Sequence, residues 1–376
     1  MQFGLTETQQ MLKNSAREFF PAECPMPEVR RLMEIDGAYD DALWKKVAAH
    51  GWTGIISSED QGGMGLGLVE MAVAAEEMGR ALLPGPFFST VFVAGALLDA
   101  LPQWRHRVEN IAKGEERATL ALLEDTARWD LDAIRLTLSS GRMTGRKLFV
   151  SDAARADVLL AAARCGEDLA IVQLDPHGLG IAIRPLPAMD RTRQLYAIDF
   201  DRAPVEILAV GPEAEAALER AADIACVALA SEMTGAMQRV LEITVEYAKT
   251  RKQFGKPIGQ FQAVQHLCAD MLVLTESARS AACYAAWALQ EGAPDARTAV
   301  SIAKSYAGEA CREAINRGIQ VHGGMGFTWE NDLHLYYRRA KASEIAFGDA
   351  AFHRERIARS IIDARGLQAL GTSTNM

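Results

Sequence analysis

The pattern of apolar and polar positions changes texture twice along the chain. Up to about residue 117 it is helical. Thr6 with Gln9 three residues later is a capping-box start, and Met11, Leu12, Ala16 and Phe19 or Phe20 then follow at helical intervals. Ala42 to Ala49 predicts a second helix. A glycine-rich turn, Gln61-Gly62-Gly63-Met64-Gly65-Leu66-Gly67, leads to an amphipathic helix over Val69 to Leu83 whose wet side should carry Glu76, Glu77 and Arg80. From 118 to 210 short β-branched or apolar runs take over: ATLALLE, AIRLTLS, RKLFVS, DVLLAAA, LAIVQL and YAIDFD. Turn residues stand between them, at Gly141, Gly145, Gly166, Asp175-Pro176-His177-Gly178 and Pro185 to Pro187, so the stretch predicts a small antiparallel β domain. From 211 to 376 the pattern is helical again, in long pieces. Pro212 starts a helix that runs to about Lys249, interrupted only by Gly235; Phe261 to Glu291 and Asp295 to Gln320 follow. Gly323-Gly324-Met325-Gly326 breaks the chain, two shorter helices lie near Leu333 to Ser343 and Asp349 to Ala364, and the tail GTSTNM is expected to fray. Long helices with short connections pack as a bundle. The expected fold class is α+β, with domains 1–117, 118–210 and 211–376.

One segment imitates a membrane span. Ala81 to Leu98 carries no charge, but Pro84, Gly85, Pro86 and Gly95 interrupt it, so a turn followed by a helix buried on all sides is the expectation. Composition narrows the class further. Apolar residues are 49% and charged residues 24% of 376, the balance of a globular chain with a sizeable core. Lys and Arg total 40 against 49 Asp and Glu, a net charge of -9, which argues against a nucleic-acid partner. The six cysteines, at 24, 165, 226, 268, 283 and 311, form no CxxC or Cys/His cluster. Neither zinc nor a disulfide framework is expected, and a reducing, cytoplasmic setting fits. The first residues show no basic region followed by an apolar run of the kind that marks secretion.

Two motifs carry candidate chemistry. In Tyr247 to Met271, YAKTRKQFGKPIGQFQAVQHLCADM, Arg251 is a fixed cation able to bind a pyrophosphate with two parallel hydrogen bonds, and Gly255 and Pro257 punctuate a loop just before a helix start. The plain alternative is a basic helix C-terminus followed by an ordinary turn. In Gln320-Val321-His322-Gly323-Gly324-Met325-Gly326-Phe327 the paired glycines either stop a helix or let a ligand approach the backbone.

These segments, with Gly51 to Gly67 and Asp190 to Asp201, resemble the acyl-CoA dehydrogenases, flavoenzymes that desaturate a CoA thioester at its α and β carbons. The resemblance covers nearly the whole chain. It implies an N-terminal helical domain, a small β domain and a C-terminal four-helix-type bundle, FAD as cofactor, an acyl-CoA substrate and an electron-transfer flavoprotein as acceptor. It also implies that Arg251, Gln253, Phe254, Gln320, Gly323 and Gly324 touch an FAD held mainly by a neighbouring subunit.

The sequence departs from the family at the other half of the site. The usual base is a Glu after an Arg-x-Ala-Lys helix; counting from Ala340-Lys341, Phe347 stands there, and a phenyl ring accepts no proton. Glu344 and Asp349 are the nearest carboxylates, Asp349 having the plain role of a helix N-cap. A second base position used by some members falls at Ala225, followed by Cys226. Glu232 lies seven residues on, on the same helical face, and is either a base or a paired helix Glu. The flavin-clasping loop of the family corresponds to Leu122 to Asp132, which has no Gly and no Pro. Where a Trp-Ile-Thr/Ser segment is usual the chain has Phe149-Val150-Ser151, so the hydroxyl of Ser151 survives, as a flavin contact or only a strand-end residue.

One half of the flavin site thus looks intact and the other does not. The resemblance extends to bacterial heterotetramers with one base-bearing and one base-less subunit, which act on CoA thioesters of bulky acids such as steroid side chains. The first expectation is a base-less subunit of such an enzyme. The alternatives are a self-sufficient homo-oligomer using Glu232, and a non-catalytic thioester-binding scaffold that has lost FAD.

Overall fold

The computed structural model describes residues 4–35 and 39–371; the tail expected to fray lies outside them after Gly371. Helix α1 (Glu7–Glu23) opens on the expected capping box: the Gln9 N–H donates to Thr6 Oγ1 at 3.2 Å and the Thr6 N–H to Gln9 Oε1 at 2.9 Å. Helices α2 (Met26–Leu32) and α3 (Asp41–Ala49) follow, the latter capped by Asp40, which accepts from the Ala42 N–H at 2.7 Å. The glycine-rich turn is required by packing at Gly63, where a Cβ would fall on the Ser57 carbonyl. Helix α4 (Leu68–Ala81) comes next. The uncharged segment behaves as expected: every residue from Ala81 to Leu98 is buried, a turn leading into a π-helical stretch (Phe88–Gly95) and α5 (Ala96–Asp99). No described helix is long and apolar enough to cross a membrane. Helix α6 (Arg105–Ala112) ends this part.

Element type changes to strand at Ala118: β1 (Ala118–Ala121), β2 (Leu138–Ser139), β3 (Arg142–Ser151), β4 (Val158–Cys165), β5 (Asp168–Leu174), β6 (Ile181–Leu186), β7 (Leu195–Pro204) and β8 (Glu206–Val210). They form two four-stranded sheets, ordered β1-β4-β5-β8 and β2-β3-β7-β6. Leu159, Val172, Val150, Tyr196 and Ile198 from the two sheets meet in one core. The expectation of an antiparallel domain needs one correction, because β1 pairs β4 in parallel, Ala118 opposite Val158. Three local readings also change. AIRLTLS forms a strand only at Leu138–Ser139; Gly145 is a bulge site within β3 rather than a turn; and Pro185 and Leu186, read as turn, close a strand, Ile181–Leu186, that the pattern did not mark. Pro185 is tolerated because β6 is an edge strand with no ladder bond to lose on one side.

The remainder is helical apart from a short hairpin, β9 (Lys252–Gln253) with β10 (Lys256–Pro257). Helix α7 (Pro212–Thr250) begins on the proline, whose missing N–H costs nothing at a first helical position. Then come α8 (Gln262–Gln290), α9 (Ala296–His322), α10 (Leu333–Ile345) and α11 (Ala350–Gly371).

By compactness the chain divides into two units, Met1–Ala74 with Ala81–Ala225, and Ala75–Arg80 with Cys226–Met376. Within the second, α4 and α7 approach at two glycines: a Cβ on Gly79 would fall on the Glu232 carbonyl, and one on Gly235 on the Glu76 carbonyl. This close crossing overturns the expected wet face of α4. Glu76 and Glu77 are 7% and 1% exposed, and Arg80 is largely buried. The charges are accommodated because partners arrive from distant helices: Arg279 of α8 pairs with Glu76, and Glu242 of α7 accepts from Arg80 Nη1 at 2.8 Å.

Candidate active site

The six residues that resemblance assigns to a flavin half-site lie in the second unit, on two loops and, for Gln320, on the last turn of the helix that enters one of them. At the end of α7 the Arg251 N–H donates to the Tyr247 carbonyl and its own carbonyl accepts from the Ile258 N–H, both at 2.8 Å. The β9–β10 hairpin turns through Phe254 (φ +51) and Gly255 (φ +79), a two-residue turn with both central residues left-handed. It presents Arg251, Lys252 and Gln253 to solvent and leaves Phe254 92% exposed, braced edge-on against Phe261 at 6.1 Å. Among the described residues, Arg251 has no ion pair and no side-chain hydrogen bond.

The second loop follows α9. Gln320 is exposed, and its carbonyl accepts the Gly323 N–H that ends the helix. Gly323 sits at φ 59 and ψ -138, a conformation open to glycine, and a Cβ on either Gly323 or Gly324 would meet only open space. A Tyr247–His322 stack, centroids 4.2 Å apart and planes 19° apart, ties the end of α7 to the end of α9 and so places the two loops side by side. His322 anchors the stack, its Nδ1 bonding the Gly318 carbonyl at 2.8 Å, and burial pushes its pKa below the usual imidazole range. An unpaired guanidinium, an amide, an exposed ring and an open glycine edge fit the pyrophosphate and planar parts of FAD. Ser151 belongs to the other unit. It ends β3, half-buried, its carbonyl accepting from Thr119 Oγ1 at 2.6 Å.

The stretch Leu122 to Asp132 is irregular, as a clasping loop would be, yet a buried pair pins it. Lys147, 0% exposed on β3, donates to Glu124 at 2.8 Å and to the Leu122 carbonyl at 2.9 Å. Glu124 also accepts from the Arg135 and Leu136 N–H groups at 2.9 and 3.1 Å. Burial raises the Glu124 carboxyl, and the hydrogen bond and charge of Lys147 outweigh it, leaving the group below its usual range. The same burial lowers the Lys147 ammonium. Sequence reading missed this pair, whose one signal is a lysine in an alternating strand at an inward position.

The candidate bases sort clearly. Glu344 is held between Arg312 Nε at 3.1 Å and Lys341 Nζ at 2.8 Å. Asp349 caps α11, accepting from the Phe352 N–H at 2.9 Å. Glu232 is 5% exposed on α7, among apolar neighbours in sequence. Phe347 lies in the α10–α11 turn, where three buried groups meet its surroundings: Cys226, Lys304 and His353. Burial brings the Lys304 ammonium down to about 8. Burial, with the charges of Lys304 and Arg356, brings His353 down to about 3. A folded-state pKa of about 3 against an unfolded value of 6.5 means that folding excludes a proton between those limits, so stability present above pH 6.5 is lost as pH falls toward 3. Urea unfolding should show wild type losing about 2 kcal/mol more than His353→Gln between pH 7 and pH 5. Equal losses would show that His353 takes up no such proton on unfolding.

Comparison with known proteins agrees with this architecture. Residues 6–101 match the family model for the acyl-CoA dehydrogenase N-terminal domain, and 215–362 that for its C-terminal domain. The acyl-CoA dehydrogenase IpdE2 of Mycobacterium tuberculosis is 32% identical over 90% of this chain and 92% of its own length. Acryloyl-CoA reductase (NADH) of Anaerotignum propionicum is 30% identical over 96% of each. Among solved structures, a variant of the Tcur3481-Tcur3483 steroid ACAD superposes with a TM-score of 0.87 at 29% identity, covering 96% of this chain and 99% of that one. The ChsE4-ChsE5 complex of Mycobacterium tuberculosis gives 0.87 at 25% identity over 96% and 99%. The chain therefore belongs to the acyl-CoA dehydrogenase family, FAD-dependent oxidoreductases that act on CH–CH bonds.

Proposed function

We propose that this chain is the base-less subunit of a heteromeric acyl-CoA dehydrogenase that desaturates the CoA thioester of a bulky, steroid-derived acid. The observation that carries the reading is the commitment of the two carboxylates nearest in sequence to the family's base position: Phe347 stands at it, Glu344 is held by two cations and Asp349 by a helix end. The likeness to a steroid dehydrogenase and to a two-component complex supports the acyl class and the partner. Bound FAD supplies the acceptor for the hydride leaving the β-carbon. This chain's part is to bind and orient. Arg251 neutralises pyrophosphate charge, Gln253 and Gln320 offer amide hydrogen bonds, Phe254 excludes water beside the rings, and Gly323 and Gly324 let the cofactor approach the backbone. Ser151 keeps the family's hydroxyl in the other half of the site, which in this reading holds no FAD of its own. A homologous partner subunit supplies the carboxylate that removes the α-proton, and an electron-transfer flavoprotein takes the electrons.

Acyl-CoA-dependent dye reduction should need both chains; full turnover by this chain alone would favour the homo-oligomeric reading with Glu232 as base. Arg251→Ala should weaken FAD retention by about 1.5–3 kcal/mol, the cost of a lost charged hydrogen bond, whereas Lys252→Ala should be nearly silent. Equal effects in a flavin-release titration would remove the pyrophosphate role from Arg251.

A further inference from the structure

Between α10 and α11 the chain turns through Phe347 (φ +57) and Gly348 (φ +101). A bulky residue rarely adopts the left-handed region, and such strain persists only where the surroundings over-determine it. Here they do. Lys304 Nζ, from α9, donates to the Glu344 and Gly348 carbonyls, both at 2.9 Å. His353 Nε2, from α11, lies 3.1 Å from the Phe347 carbonyl, and Cys226 Sγ, from α7, lies 3.7 Å from the same oxygen. A carbonyl only accepts, so a neutral His353 carries its hydrogen on Nε2; its Nδ1 is buried without a hydrogen-bond partner. The three side chains are 1%, 0% and 1% exposed in the order given. Finally, a Cβ on Gly348 would fall on the Phe352 ring, so the turn has no alternative residue at its second position.

Closing the helix does not require this. The Ala346 N–H already bonds the Ala342 carbonyl at 3.1 Å, and the Gly348 N–H the Ile345 carbonyl at 3.3 Å. The three side chains instead satisfy the outward carbonyls of the turn, from three different helices, and burying polar groups for that purpose is costly unless the geometry they fix is used.

We propose that Lys304, Cys226 and His353 are positioning residues for Phe347, fixing through the carbonyls of its turn the place of a half-buried phenyl ring. The inference rests on the reading of position 347 given above. The held ring is then an apolar wall where a base would stand, and the reacting thioester is left to the partner subunit.

The test is a single fluorinated phenylalanine at position 347 of the full-length chain, read by fluorine NMR. Wild type should give one narrow line. Lys304→Met and His353→Leu should each shift and broaden it, while His353→Gln, which keeps a donor, should restore the wild-type line. Ile315→Val, buried elsewhere on α9, should lower Tm and leave the line in place. An unchanged line in Lys304→Met with a lowered Tm, or an equal change in Ile315→Val, would reduce the three residues to general bundle stability and overturn the proposal. If Lys304→Met does not accumulate, the contrast between His353→Leu and His353→Gln decides alone. Flavin content and turnover play no part in this readout, so a failure of the subunit reading is seen separately.

Discussion

Changing Glu232 to Gln in this chain should leave the turnover of the assembled enzyme within a few-fold of wild type, while the same change at the partner's base should lower it by on the order of 10²–10⁴-fold, the general-base contribution. The amide keeps the shape of the carboxylate and has no useful basicity, so the contrast reports proton removal and not packing. Glu232 is 5% exposed and its carbonyl lies where α4 crosses α7 at Gly79, a placement that suits a structural glutamate. Loss of turnover in Glu232→Gln with FAD still bound would make this chain self-sufficient. Phe347→Glu is the converse change. It should give no activity in the chain alone, because Ala225, Cys226 and the glycine-free stretch from Leu122 to Asp132 leave the rest of the family's acyl and flavin site altered. A clear gain from that single substitution would mean that only the base had been exchanged.

Lys147→Met should destabilise the chain by about 3 kcal/mol, the lower end of what breaking a buried pair costs, since Glu124 keeps two backbone donors. The effect should fall on the stretch it pins: amide exchange should rise between Leu122 and Asp132 before the core of the sheets opens. Replacing both partners, Lys147→Met with Glu124→Leu, should recover part of the loss, since no lone carboxylate remains. A neutral Lys147→Met would show that the backbone N–H groups alone hold the loop.

What the sequence revealed was local chemistry. Thr6 with Gln9, Pro212 at a helix start and Asp349 as a cap are decided within four residues, and each stands as read. The uncharged run to Leu98 was legible because breakers and length settle it. Burial of charge was not. Glu76, Glu77 and Arg80 look like the polar side of an amphipathic helix, and only a partner 203 residues away, Arg279, makes Glu76 an interior residue. Pro185 misled for a related reason, since its tolerance depends on which strand lies at a sheet edge. Within the proposed site, the two loops were legible as turns at Arg251 and at the paired glycines, whereas Tyr247 against His322, which brings the loops together, needed the folded chain. Lys304 left one trace: a lone lysine in the small and apolar run around it on α9.

If this chain holds only half of a flavin site, its flavin content must depend on the company it keeps. FAD per chain can be measured by absorbance after release, from protein purified alone and from protein co-purified with its partner subunit. Far less than one FAD per chain is expected for the first and one FAD per pair for the second. Stoichiometric FAD in the chain purified alone would contradict the half-site.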